Sequence, residues 1–114
     1  MHKISKTNAE HYIWGKECEG WHLLKSDGLS VIEERMPPHT SEAMHYHEHS
    51  QQVFYILFGV ATMKFSDKTI QIQAGESLHI NAKIAHQMCN ESDEELCFLV
   101  VSQPKSHGDK IVIN

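Results

Sequence analysis

Residues 44–59, MHYHEHSQQVFYILFG, combine a histidine pair with the longest apolar run of the chain. In an extended segment, side chains two residues apart point to the same face. His45 and His47 would therefore present two imidazole rings to one point, as a metal ion requires. The chain has 10 histidines, and about one such H-x-H pair is expected by chance in a chain of this composition. The surroundings of the pair therefore decide its meaning.

The composition limits the class of protein. The chain has 114 residues, which fits a single domain, and a formal net charge of -5 with no basic run. This balance argues against nucleic acid or an anionic membrane surface as the main partner. No apolar stretch is long enough to span a bilayer, and residues 1–6 lack the apolar core of a secretory signal. We therefore expect a cytoplasmic protein.

The three cysteines are widely spaced, which favours buried thiols over a disulfide framework or a zinc ribbon.

The pattern of apolar residues and turns predicts an all-β fold. About nine short strands recur at a spacing of 8–12 residues, which is typical of a sandwich or barrel. Residues 52–58 are apolar at nearly every position and predict a central strand packed on both faces. Residues 29–36 predict a strand that ends at Pro37, and on it we expect Glu33, Glu34 and Arg35 to form a solvated or interface face.

The same pattern predicts the domain organisation. We expect an N-terminal arm that packs on the barrel (1–20), a β-barrel domain (21–103) and a polar C-terminal tail (104–114). Only residues 5–17 and 40–44 leave room for a helical turn.

Further positions stand at fixed spacings from the histidine pair: Gln52, Gly59, Gly75, His86 and Asn90. Together they resemble the two motifs of the cupin superfamily, G-x5-H-x-H-x3-4-E-x6-G and G-x5-P-x-G-x2-H-x3-N, over about residues 30–102. The segments 21–24, 30–38, 51–57 and 102–110 also resemble a subgroup of small, standalone, single-domain cupins. This resemblance implies a double-stranded β-helix, the RmlC-like jelly-roll barrel of cupins, with His45, His47, Gln52 and His86 as metal ligands.

The chain departs from the cupin motifs at four positions. His39 replaces the first glycine, Asn81 the proline and Lys83 the next glycine, which affects only local turns. Gln52 replaces the usual glutamate. Some small cupins carry glutamine there, including enzymes of pectin and uronate degradation that rearrange unsaturated sugar acids, so the exchange is compatible with a metal site.

The predicted ligands define the expected chemistry. Three imidazoles and one amide oxygen suit a divalent transition metal such as Zn, Ni, Fe or Mn. Because Gln52 is neutral, the site keeps the full positive charge of the ion. The ion should therefore be a stronger Lewis acid toward an anionic ligand, and the site should bind hard ions less tightly. Glutamine is no general base, so we expect a base elsewhere: a hydroxide on the metal, His49, His79 or Asp109.

Three functions fit these residues. The first is a metal-dependent enzyme, an isomerase, lyase or dioxygenase, acting on a small oxygen-rich anionic molecule held in the barrel. The alternative is a non-enzymatic module that binds or senses a small ligand, and the third is a structural barrel whose histidines have no function. Fold does not determine reaction, so the substrate, the reaction class and the metal stay open. The small size, the apolar strands and the analogy with small cupins predict a homodimer.

Overall fold

Strands form all of the regular secondary structure in the part of the chain that the structure describes. The computed structural model describes residues 1–113, and this range contains twelve strands and no helix. The strands are β1 (Glu10–Trp14), β2 (Cys18–Lys25), β3 (Ser30–Met36), β4 (Thr40–Ser41), β5 (His45–His47), β6 (Gln51–Phe58), β7 (Val60–Lys64), β8 (Thr69–Gln73), β9 (Ser77–Ile80), β10 (Gln87–Asn90), β11 (Leu96–Gln103) and β12 (Lys110–Val112). The all-β prediction is confirmed. Of the two segments that left room for a helical turn, the first begins with a single turn, in which the Ala9 amide donates to the Ser5 carbonyl at 2.8 Å. The two segments otherwise contribute β1 and β4, which are held by pairing with β2 and β10.

The strands form three antiparallel sheets. The first has six strands in the order β1-β2-β3-β11-β6-β9, the second has four in the order β4-β10-β7-β8, and the third pairs β12 with β5. One buried cluster joins the two larger sheets, with Phe54 and Phe98 from the first and Met63 and Met88 from the second. Burial of each such side chain stabilises the fold by about 1.5–3 kcal/mol.

The central strand β6 alternates between the two faces of its sheet. Gln52, Phe54 and Ile56 are buried, whereas Val53, Tyr55 and Leu57 are 36–42% exposed. The prediction that residues 52–58 pack on both faces is therefore wrong for the single chain, because the core covers only the inner face of this antiparallel sheet.

Strand β3 also corrects the prediction for its charged triplet. Glu34 stands on the same face as Ile32 and lines an internal cavity. Glu33 and Arg35 point the other way, where Glu33 pairs with Lys6 and Arg35 with Glu19. The period-two alternation of a strand separates three adjacent charges into one inward and two outward side chains.

Cross-strand register sets three inward-facing rows in the six-stranded sheet. Each row takes one residue from β6, one from β11 and one from β3: Gln52, Ser102 and Ser30; Phe54, Val100 and Ile32; Ile56, Phe98 and Glu34. These rows place a polar end, an apolar middle and an acidic residue along one wall of the barrel.

Both terminal segments contribute strands. β1 pairs with β2 along its whole length, and β12 pairs with β5 so that Lys110 lies opposite His47. Residue 114 of the predicted tail lies outside the described residues. The described chain has no helix of the length and apolar character needed to cross a membrane.

Candidate metal centre

Three histidines converge inside the barrel. His45 and His47 lie on β5 and His86 directly precedes β10, and all three are at least 95% buried. Each offers one ring nitrogen such that the three atoms lie within 4.8 Å of one another. The backbone fixes this geometry, because the His45 amide donates to the His86 carbonyl (3.0 Å) and the His86 amide donates to the His45 carbonyl (2.8 Å).

Backbone carbonyls orient two of the rings. Nδ1 of His45 donates to the Ala43 carbonyl and Nδ1 of His86 to the Ile84 carbonyl, both at 2.9 Å. A carbonyl only accepts, so the proton of each neutral ring sits on Nδ1 and the lone pair on Nε2 is free. This arrangement, in which an outer hydrogen bond sets the tautomer, is typical of histidine metal ligands.

The amide of Gln52 is oriented in the same way. Its Nε2 donates to the Ser102 hydroxyl at 3.0 Å, so its Oε1 is the atom left to act as a ligand. Among the described residues, Gln52 Oε1, His86 Nε2 and His47 Nδ1 are buried and have no hydrogen-bond partner. Each unsatisfied group costs about 1–3 kcal/mol, and a divalent ion is a partner that such a set of nitrogen and oxygen donors fits.

The pKa values of the histidines suit metal binding. Burial lowers the pKa of His45 to about 4, with further lowering by His86 and Lys110. Burial, followed by His86, also lowers the pKa of His47 to about 4, and burial lowers the pKa of His86. The three rings are therefore neutral at pH 7, which is the state that binds a metal.

A cavity of about 270 Å³ opens beside the histidines. Its walls carry His45, His47 and Gln52, the apolar side chains of Ile32, Phe54 and Val100, the carboxyl groups of Glu34 and Glu42, and Lys110. It is large enough for a small molecule to contact an ion held by the histidines.

A family model described as the cupin domain matches residues 32–102. The chain belongs to the cupin family. An oxalate-binding protein of Thermotoga maritima is 28% identical over 90 residues, which cover 75% of this cupin and 74% of the relative.

Solved structures share the fold. The polyketide cyclase RemF of Streptomyces resistomycificus superimposes with a TM-score of 0.86 at 21% identity, covering all of this chain and 86% of RemF. A predicted oxalate decarboxylase of Thermotoga maritima gives a TM-score of 0.79 at 24% identity, covering 91% of this chain and 100% of that one. These neighbours confirm the predicted double-stranded β-helix.

Much of the cavity of this cupin lies outside the segment that matches the family model. Tyr12 and Trp14 from β1, and Ser106, His107, Gly108 and Lys110 from the C-terminal segment, make up six of its fourteen lining residues. The match to the family model therefore does not by itself determine the chemistry of this part of the cavity.

The three side chains proposed as bases from the sequence do not line this cavity. His49 is exposed, and His79 lies on the outer face, where its Nε2 bonds to Gln51 Oε1 at 2.8 Å. Burial acts to raise the pKa of Asp109, but the backbone amides of His49 and Ser50 donate to its carboxylate and bring the pKa below its usual value. Asp109 is thus occupied in fixing the loop after β5.

Two carboxyl groups that were missed face the cavity instead. Burial raises the pKa of Glu34 to about 7 and that of Glu42 to about 8. Glu42 accepts a bond from the Met88 amide and approaches His45 Nδ1 at 3.7 Å. The alternation of Ile32, Glu34 and Met36 in β3 was a usable signal for Glu34. No local pattern marks Glu42.

Metal affinity should be nearly independent of pH between 6 and 5. In this window the His45 and His47 rings, with pKa values of about 4, stay neutral, and Glu34 and Glu42 are mostly protonated. We expect the Kd for Zn²⁺, measured by chelator competition, to change by less than about threefold in this window and to rise steeply as the pH falls toward 4. A tenfold weakening between pH 6 and 5 would show that protons compete at the usual histidine pKa.

Ser102→Ala should weaken metal binding by about tenfold or more, because the Gln52 amide loses the bond that orients it. Ser30 is the matched control: it is also buried, it lies two strands from Gln52 as the partner of Ser102 on β3, and its hydroxyl has no partner among the described residues. Ser30→Ala should leave the Zn²⁺ affinity unchanged. Equal affinities for both variants would remove Gln52 from the ligand set.

Proposed function

We propose that this cupin is a metal-dependent enzyme acting on a small, oxygen-rich, anionic molecule. His45, His47, Gln52 and His86 are the proposed ligands of a Zn, Ni, Fe or Mn ion. The proposal is carried by one observation: the ring nitrogens of three buried histidines converge beside a cavity that His45, His47 and Gln52 line. Three buried polar atoms of this group have no hydrogen-bond partner among the described residues. When bound, the ion would act as a Lewis acid toward a carboxylate, carbonyl or enol oxygen.

The charges around the cavity favour an anionic ligand. Lys110 lines the cavity beside His47, its cross-strand partner in the β12–β5 pair. The two acidic residues of the cavity repel an anionic ligand only weakly. Burial raises the pKa values of Glu34 and Glu42 into the neutral range, so a large share of their carboxyl groups is uncharged at pH 7. Lys110 can therefore pair with a carboxylate of the substrate at the end of the cavity that holds the histidines.

The apolar middle row gives the substrate an orientation. Ile32, Phe54 and Val100 separate the polar end of the wall from Glu34. They can pack on the carbon atoms of the substrate and exclude water from them, while its oxygen atoms stay at the polar end. An isomerase, lyase or dioxygenase reaction is compatible with this arrangement.

The test uses protein purified without a histidine tag. We expect about one divalent transition metal per chain by elemental analysis, and turnover of at least one member of a panel of sugar acids and 2-oxo acids. Turnover should stop after treatment with a chelator and return when the metal is restored. Turnover that survives complete removal of the metal would contradict the proposal.

A ligand-binding module without catalysis is the second candidate. It is supported by the Thermotoga maritima relative, which is named as an oxalate-binding protein. For this candidate, oxalate should raise the melting temperature of the metal-loaded protein in a concentration-dependent manner, and no panel member should be converted. Conversion of any panel member at a chelator-sensitive rate would exclude it.

The homodimer and the cytoplasmic location remain predictions. The exposed apolar side chains of Val53, Tyr55 and Leu57 on the outer face of β6 support a dimer that covers this face. Light scattering should give twice the chain mass of 13.1 kDa. Tyr55→Arg should produce monomers, whereas Gln71→Arg on β8, another exposed strand position, should not. A monomeric wild type would contradict the prediction.

A further inference from the structure

Tyr12 reaches across a neighbouring strand to contact Glu34. Tyr12 pairs with Gly20 in β2, and Gly20 pairs with Glu34 in β3. Because Gly20 has no side chain, the Tyr12 ring lies over it: a Cβ atom at Gly20 would stand 2.2 Å from Tyr12 Cζ and 2.4 Å from its hydroxyl. The hydroxyl donates to Glu34 Oε2 at 2.6 Å.

This contact leaves Glu34 able to exchange protons. Burial raises the pKa of Glu34 to about 7, against the opposing effects of the Tyr12 bond and of Lys110. Burial and the charge of Glu34 raise the pKa of Tyr12, so the phenol stays protonated and keeps donating. The titratable and charged groups around Glu34 are Tyr12 on β1, Cys18 on β2, Glu42 between β4 and β5, and Lys110 on β12. Glu34 is only partly buried by surface area because it lines the cavity.

The position of Glu34 along the wall limits what it can act on. Successive inward rows are about 7 Å apart, since two residues of a strand separate them. Glu34 is two rows from Gln52, and the row of Phe54, Val100 and Ile32 lies between them. A ligand whose oxygens lie at the histidines and Lys110 must place carbon atoms over the apolar row to reach Glu34. A ligand without C–H bonds, such as oxalate, has no carbon-bound proton that Glu34 could remove.

We propose that Glu34, positioned by Tyr12 across Gly20, transfers a proton at the carbon next to the carbonyl of a small 2-oxo acid. This inference rests on the proposed function and specifies its substrate class. The Glu34 carboxylate takes the proton, the C–H electron pair becomes the new C=C bond, and the carbonyl π pair moves to oxygen. Return of a proton from Glu34 to carbon reverses the step, so no oxidant or reductant is needed. Lys110 pairs with the carboxylate of the oxo acid.

Hydrogen–deuterium exchange tests the step directly. Untagged protein is loaded separately with Zn²⁺, Ni²⁺ and Mn²⁺ and incubated in D₂O with pyruvate or 2-oxobutyrate, and the loss of the C3 proton signal is followed by NMR after chelator quenching. We expect accelerated exchange with the wild type and a loss of at least about 100-fold with Glu34→Gln. Glu33→Gln is the matched control, since Glu33 is the outward neighbour that pairs with Lys6; it should exchange like the wild type. Glu34→Asp keeps a carboxyl group and should retain measurable exchange.

The positioning role of Tyr12 has its own readout. Tyr12→Phe removes a bond that lowers the pKa of Glu34, so the rising limb of the pH–rate profile should move to higher pH. Infrared spectroscopy of the metal-free protein gives a second readout without turnover. The protonated carboxyl groups of Glu34 and Glu42 should both contribute bands that titrate near neutral pH in the wild type and in Glu33→Gln. Glu34→Gln should lose the contribution of Glu34 and keep that of Glu42.

The outcomes separate this inference from the proposed function. Protein that binds no metal would overturn the proposed function. If metal is bound but the wild type exchanges no C3 proton with any of the three metals, or if Glu34→Gln exchanges as fast as the wild type, the inference is overturned while the metal site stands.

Discussion

His86→Ala is expected to abolish stoichiometric metal binding. The wild type should carry about one transition metal ion per chain, and the variant close to none after dialysis. The reason is geometric: His86 is 1% exposed, its Nδ1 is held by the Ile84 carbonyl, and its Nε2 has no partner among the described residues. Loss of an outer-shell partner alone weakens metal binding by about 10–100-fold, so loss of a ligand should exceed about 100-fold.

Melting temperatures measured with and without metal separate lost binding from lost folding. A ligand that binds only the native state stabilises it by about 4 kcal/mol at 1,000 times its Kd, so Zn²⁺ should raise the melting temperature of the wild type. It should not raise that of His86→Ala. His79→Ala is the matched control, because His79 is an exposed histidine on the outer face that bonds only to Gln51. His86→Ala protein that binds Zn²⁺ as tightly as the control would remove His86 from the site.

Gly59→Ala is expected to destabilise the fold far more than Gly75→Ala, although the two glycines have almost the same backbone conformation. Their φ angles are +87° and +86°. An L-residue at such an angle costs about 1–2 kcal/mol, and this cost applies to both variants. A Cβ at Gly59 would also lie 2.3 Å from the backbone oxygen of Glu95, whereas a Cβ at Gly75 meets nothing within 4 Å.

The contact with Glu95 should add about 1–3 kcal/mol for Gly59→Ala, because a backbone atom cannot turn away as a side chain can. Urea unfolding of the metal-free proteins measures both losses. The difference between the two variants isolates the steric part from the conformational part. Equal losses would mean that the start of β11 moves freely away from the β6–β7 turn. Gly59 is a position of the first cupin motif, and this close approach gives a physical reason for a glycine there.

The sequence was sufficient to predict the elements that depend on local periodicity. His45 and His47 share a face because strand side chains alternate. The resemblance of the positions from the pair to Gln52, Gly59, Gly75 and His86 to the cupin motifs implied the barrel in which these residues meet. The reciprocal backbone bonds between His45 and His86 then account for the meeting of two motifs that lie 41 residues apart.

Features that depend on pairing between distant strands could not be predicted in this way. The contact of Tyr12 with Glu34 requires β1 and β3 to flank Gly20, and nothing near Tyr12 in the sequence indicates this. Lys110 faces the histidines only because β12 pairs with β5. In β6, apolar residues occupy both faces, so composition could not show that Tyr55 lies on the uncovered face.

Anomalous diffraction at the absorption edge of the bound metal tests the central claim most directly. Crystals of untagged, metal-loaded protein should show one strong peak per chain, within bonding distance of ring nitrogens of His45, His47 and His86 and of Gln52 Oε1, with imidazole distances of about 2.0–2.1 Å. The absence of a peak among these four side chains, or a peak only at other residues, would contradict the account of this cupin as a metal-dependent protein.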